Sequence, residues 1–547
     1  MITLQALPAN HYIRAGATGA NNGNNWVDAW TRLPDVLVRG DTYYVASGTY
    51  PFYRIEEVNG SGYIVIKKAT EFDHGTDSGW VSAYGQGVAS FQGLEILASC
   101  VILDGQTGGG PGNWNSGFGF EVVRTPPDNC GDNGDLLRIG ASINDPKTNI
   151  YISHVKFYST STNYPMGGIS LYGGVANATI SYCSITNIFG CPFFFNSCSN
   201  VIIEYNYIAN TRSTGSVDPY CPGWHTEGIS SIGQNTNITI RYNLWDRIAG
   251  TAIIAGINNG TCENWKIYGN IFARSVTTIR YYYDGTSNRQ VMNNLEFYNN
   301  DIVGIPETIG GYGVSQGGIV IDSGNNNKVY NNIWYNNIAN SFSIDAEHGF
   351  NYFAENRRVE GCYPQPCDMD EDAAVDDVNT QLGPDASPFI SGDGAGDPLQ
   401  ASFLLKVPTE PGLPLSAEFN KDMFGNIRGE DGVWDRGACE YVNSSDVCDE
   451  ISELADFILS QNCPNPFNPK TIINYSIGTR GYVSLKIYDI LGREIAILVD
   501  GIKEAGYHKV EWNGKSSSGQ QVVSGVYLYQ LKTSSGFVST KKMLVIR

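Results

Sequence analysis

One line recurs through the middle of this chain. It reads NIYISHVKF from Asn149, NATISYCSI from Asn177, NVIIEYNYI from Asn200, NITIRYNLW from Asn237, NWKIYGNIF from Asn264, NLEFYNNDI from Asn294 and NKVYNNIWY from Asn327. The copies begin 28, 23, 37, 27, 30 and 33 residues apart. Each alternates apolar and polar side chains, the period-2 pattern of a strand with one buried face, and an Asn-centred bend often follows. A second strand pattern sits between the copies: GGISLYGG (167–174), PFFFNS (192–197), EGISSIGQ (227–234), GTAIIAG (250–256), TIRYYYDG (278–285), GGIVIDSG (317–324) and SFSIDAEHG (341–349). No helical period competes with it. A unit of two or three short strands cannot bury its apolar face alone, so such units must stack as coils of a parallel β-helix, with Asn at equivalent bends forming ladders.

Repetition changes how the 547 residues divide, because a solenoid grows along one axis without splitting into domains of ordinary size. Charge marks the real division. Residues 461–547 hold 11 Lys/Arg against 5 Asp/Glu, leaving 24 against 50 for the remainder. The expected organisation is a β-helix over 1–442, with a cap near 11–60 and a closing segment near 398–442, then a linker at 443–460 and a module at 461–547. An acidic chain of formal charge −20 offers no basic face for nucleic acid. No run approaches 18 apolar residues, so no membrane span is expected. The twelve cysteines lack zinc spacing, and their even number fits disulfides and export, with the pairing open. MITLQALPA at 1–9 is too short for a signal peptide, so an exported chain is expected to have lost its leader.

The first 442 residues resemble secreted right-handed parallel β-helix proteins. The opening HYIRAGATGANNGNNWVDAW…RGDTYYVASGTY (11–50) and the ending FNKDMFGNIRGEDGVWDRGACEYV (419–442) carry that resemblance beside the repeat. It implies fold rather than chemistry, since such solenoids host lyases, hydrolases, esterases, epimerases and adhesins. Strands at 8–12-residue spacing after residue 460 read as a small antiparallel Ig-like β-sandwich. PNPFNP (464–469), VSLKIYDILGREI (483–495), EWNGKSSSGQQVVSGVYLYQL (511–531) and KKMLVIR (541–547) resemble the type A sorting domain of the type IX secretion system. That resemblance implies the type IX secretion machinery as a partner and the outer cell surface of a Bacteroidetes-like bacterium as the location.

Candidate chemistry follows from stacking. Ile169, Phe193, Ile229, Ile253, Ile279, Ile319 and Phe342 align as inward residues, and the outward position three residues on reads Tyr172, Asn196, Ile232, Gly256, Tyr282, Asp322, Asp345. Coils stack about 4.8 Å apart, so Asp322 and Asp345 would be neighbours and one would be pushed toward protonation. An acid beside an ionised carboxylate is what glycoside hydrolysis requires. Asp322, Asp345, Glu227 and His225 are therefore the catalytic candidates. Arg280, Tyr282, Asp284, Trp224 and His348 are the substrate-binding candidates, with the aromatic rings as sugar platforms. The pair His225–Glu227 closes the longest insertion, where solenoids build binding grooves. IDSG and IDAE equally fit Asx turns at strand ends, and the carboxylate column equally fits Ca²⁺, although no resident cofactor is expected. β-Elimination from a uronate needs a cation and a base, which Arg280 with His225 or Tyr282 would supply. The triple-aspartate pattern of polygalacturonases is absent. The expectation is a carbohydrate-active protein acting on a polysaccharide or surface glycan, hydrolysis ahead of elimination, with a non-catalytic glycan-binding or adhesive protein as the alternative.

Overall fold

The computed structural model describes residues 8–124, 134–160, 167–188, 190–211, 227–248, 251–257, 261–275, 277–281, 291–304, 319–321, 324–337, 342–344, 346–354, 381–382, 387–390, 399, 403–441, 457–459, 462, 470–477, 480–489, 492–503, 506–534 and 537–545. Three parallel sheets wind through the chain as far as Leu382, holding 14, 12 and 10 strands among the described residues. In one coil, Ser199–Glu204 belongs to the 14-stranded sheet, Tyr207–Ala209 to the 12-stranded sheet and Ile229–Ile232 to the 10-stranded sheet. Asn235–Arg241 then stacks on Ser199–Glu204, with Val201 opposite Ile238 and Ile203 opposite Ile240. The chain is a parallel β-helix.

Alternation decides which side faces in. Val201, Ile203, Ile238 and Ile240 are fully buried, while the residues between them look outward. One apolar core runs from Ile13 to Phe353 through every coil. The register expected for the second strand is observed residue for residue: Ile169 pairs with Phe193, then Ile229, Ile253, Ile279, Ile319 and Phe342, and the first six are buried in the core.

Asparagine explains the bends. Asn149, Asn177, Asn200, Asn237, Asn264, Asn294 and Asn326 all have φ between 53° and 60°, a left-handed conformation that costs most L-residues about 1–2 kcal/mol but that Asn tolerates. Their side chains form an exposed ladder, with each amide nitrogen donating to the Oδ1 of the coil before, at 2.9 Å from Asn237 to Asn200 and from Asn264 to Asn237. The seventh rung is Asn326 rather than the expected Asn327, because Phe297 pairs with Val329 and shifts the last copy by one. A second ladder is fully buried: Asn206, Asn243, Asn270, Asn300, Asn332 and Asn351. Asn243 Nδ2 donates to Asn270 Oδ1 at 2.9 Å and to the Ile203 carbonyl at 2.9 Å, satisfying groups that the corner takes out of the sheets.

The closing segment does more than end the last coil. It lies along the corner between the 14- and 12-stranded sheets. Phe419 packs edge-on against Tyr268 and Tyr298, and the Tyr242 hydroxyl donates to the Lys421 carbonyl at 3.0 Å. Trp434 Nε1 donates to Asn299 Oδ1 at 3.3 Å, Ala438 N to Asp301 Oδ1 at 2.9 Å, and Arg436 Nη1 to the Asn351 carbonyl at 2.9 Å.

The C-terminal module is antiparallel. Phe457–Leu459, Thr471–Ile477 and Gly506–Trp512 form one sheet; Glu494–Lys503, Gly481–Asp489, Gly525–Thr533 and Val538–Val545 form the other. Its core is built from Ile473, Tyr475, Leu485, Ile487, Trp512, Tyr529 and Leu531. The first of these strands lies within the stretch read from sequence as linker. Cys100, Cys183, Cys191, Cys198, Cys262 and Cys439 are free thiols, so no disulfide is found among the described residues. Among the described residues, no helix is long and apolar enough to cross a membrane.

Candidate functional site

His225, Trp224, Tyr282, Asp284, Asp322 and Asp345 lie outside the described residues. The backbone of Arg280 sits in Thr277–Tyr281, on the 10-stranded sheet. Glu227 stands at the start of Ile229–Ile232 on that sheet, 7% exposed, and accepts a hydrogen bond from Cys191 Sγ at 3.4 Å. His348 does not join it. It lies on the 14-stranded sheet opposite the buried Val329, at the core-facing register of the last described strand there, so it is no groove residue. The outward column drawn from sequence breaks at its fourth member. A bulge pairs Ile232 with Ile257 instead of Gly256, so strict alternation does not carry across it.

The 10-stranded sheet brings together other residues that chemistry can use. Its outward column one residue after the inward line runs Arg54, Glu95, Arg138, Ser170, Phe194, Ser230. Arg54 Nε donates to Glu95 Oε2 at 2.5 Å, which keeps that carboxylate engaged. The Arg138 guanidinium lies over the Tyr172 ring at 4.9 Å, and Tyr172 stacks on Phe194 at 6.3 Å. This is a platform of one cation and two rings, suited to a sugar face.

Asp135 stands beside it, the first residue of Asp135–Ile139. Leu136 and Leu137 are both fully buried in the core, so alternation fails there and Asp135 turns outward. Its carboxyl bonds to Ser170 and faces Arg138 and Arg124, and Arg124 Nη1 also donates to the Asp135 carbonyl at 3.4 Å. Burial pushes this carboxyl up to about 6; the Ser170 bond and the two arginines oppose the rise, and Glu95 adds to it. Asp135 is therefore a carboxyl with a raised proton affinity, on the same face as Glu95. Glu227 is three coils further along the same strand-start position, about 14 Å away at about 4.8 Å per coil, too far to pair with it.

Sequence reasoning missed Asp135, Arg138, Arg124 and Glu95. The signal was DLLRIG at 135–140, which continues the second-strand pattern one coil earlier, with Leu137 opposite Ile169. Two other acids are buried at the corners. Burial raises Asp104, but the His154 Nδ1 contact at 2.9 Å, the His154 charge and the Gln106 N–H outweigh it and hold Asp104 low. Asp246 is gripped by Arg274 at 2.7 Å and Arg247 at 3.0 Å. No group of three or more metal-ligating side chains occurs among the described residues.

Comparison with known proteins adds a family to one end. Residues 479–536 match the FlgD Ig-like domain. Among solved structures, PorZ, described as a surface component of the type IX secretion system of Porphyromonas gingivalis, is 27% identical over 16% of this chain and 11% of its own, with a TM-score of 0.13. The pectate lyase Pel9A is 12% identical over 80% of this chain and 97% of its own, TM-score 0.45. The family 6 alginate lyase AlyGC is 13% identical over 68% of this chain and 57% of its own, TM-score 0.31. No curated protein matches in sequence.

Proposed function

We propose that the chain is a carbohydrate-active β-helix protein that hydrolyses a polysaccharide across the outer face of its 10-stranded sheet. The observation that carries this reading is Asp135, a carboxyl that burial pushes up to about 6, on one face with Glu95 and the Tyr172–Phe194 platform. Asp135 would protonate the leaving oxygen, Glu95 would stabilise or attack the developing cation, and Arg138 with Tyr172 would hold the sugar. The resemblance of 464–469 and 541–547 to type IX sorting motifs supports delivery to the outer cell surface through the C-terminal module.

One observation favours a non-catalytic glycan-binding protein instead: Glu95 is already engaged by Arg54 and Glu227 by Cys191. A panel of neutral and acidic polysaccharides separates the readings. New reducing ends without unsaturated sugar absorbance are expected from the wild type, with a loss of about 10²-fold or more in Asp135→Asn. Unsaturated products would replace hydrolysis by elimination, and retained glycan binding without any cleavage would leave the binding protein. Export is tested separately: deletion of residues 461–547 is expected to keep the protein off the cell surface.

A further inference from the structure

Asp135 is only partly exposed at the start of its strand, and the cause lies on the next coil. Asp135 pairs with Gly167 across the sheet. A Cβ at Gly167 would stand 2.2 Å from Asp135 Oδ1 and 3.4 Å from its Cγ, a clash that is relieved only if the carboxyl moves away. Gly167 has no left-handed φ that would demand glycine for its backbone. The glycine therefore supplies space and nothing else. Ser170, 5% exposed and opposite Arg138, closes the same notch and bonds the carboxyl. Further along, the strand-start position of Gly167 is taken by Cys191 and then Glu227, so the two following coils fill the place that Gly167 leaves empty beside Asp135.

We infer that Gly167 and Ser170 are positioning residues, a seat in which the Asp135 carboxyl packs against the neighbouring coil. The two act in opposite senses. Gly167 permits the burial that favours the protonated acid. Ser170 gives a hydrogen bond that favours the carboxylate. The inference rests on Asp135 as the acid for its functional meaning, but its geometry is independent of substrate.

The test is a ¹³C NMR titration of the Asp135 carboxyl in the full chain, without substrate, beside pH profiles of polysaccharide cleavage. In Gly167→Ala the methyl drives the carboxyl into solvent. Its midpoint should fall by a unit or more, and cleavage above pH 6 should drop about tenfold for each unit lost. In Ser170→Ala the midpoint should rise, and the alkaline limb of the profile should move up with it. Ser170→Ala adds no atom, so it keeps the test open should Gly167→Ala fold poorly. Opposite displacements support the seat. Midpoints that stay at the wild-type value, or that move together, overturn it. Full activity in Asp135→Asn would instead remove the acid assignment, leaving the substrate-free titrations to decide the seat.

Discussion

Asp301 shows what a single side chain does in this corner. It is 1% exposed, its Oδ1 accepts from Ala438 N, and its Oδ2 has no partner. Burial pushes its carboxyl up to about 8, against the Ala438 bond and Arg428. An unfolded Asp titrates near ~3.9. The folded midpoint is the higher one, so its stabilising contribution is complete below about pH 4 and is lost as pH rises through about 8. Asp301→Asn should flatten that dependence: melts are expected to show the variant gaining up to about 4 kcal/mol on the wild type between pH 5 and pH 9, at ~1.4 kcal/mol per unit up to the folded midpoint. Equal pH slopes would place the titration elsewhere. Asn243 makes the complementary case. Replacing it with Ala strands the Asn206 N–H and the Ile203 carbonyl inside the corner. A loss of about 2–4 kcal/mol is expected by denaturant unfolding, well above that of Asn200→Ala on the exposed ladder.

Among the elements, the closing segment stabilises the solenoid along its flank. Phe419 is 3% exposed and lies between two tyrosines of successive coils, at 4.8 Å and 5.0 Å. Phe419→Ala should cost about 3–5 kcal/mol, and hydrogen exchange should quicken along Tyr242–Tyr298 while the strands near Ile55 and Ile96 stay protected. Uniform loss of protection would mean that the segment closes only the end of the helix. The sequence pattern placed this segment at the last coil because its motif follows the last repeat. Its side-on course depends on contacts such as Trp434 to Asn299, over a hundred residues apart, which no local period records.

At the scale of the whole molecule, the parts legible in sequence are those that alternation controls. The inward line from Ile169 to Phe342 came out in register because a one-residue slip would have put each side chain on the wrong face. The site was hidden where alternation fails: at Leu136–Leu137, whose double burial turns Asp135 outward, and at the bulge that pairs Ile232 with Ile257. His348 was misplaced for a related reason, since Phe342–Ile344 lies on one sheet and Ala346–Gly349 on another. The most direct test of the account is the pH profile of polysaccharide cleavage by the wild type and Asp135→Asn, measured on the best substrate of the panel. The expected wild-type profile loses activity on the alkaline side with a midpoint near 6, and the variant retains under about a hundredth of the rate with that limb gone. An unchanged profile in Asp135→Asn would contradict the assignment of this face as the catalytic site.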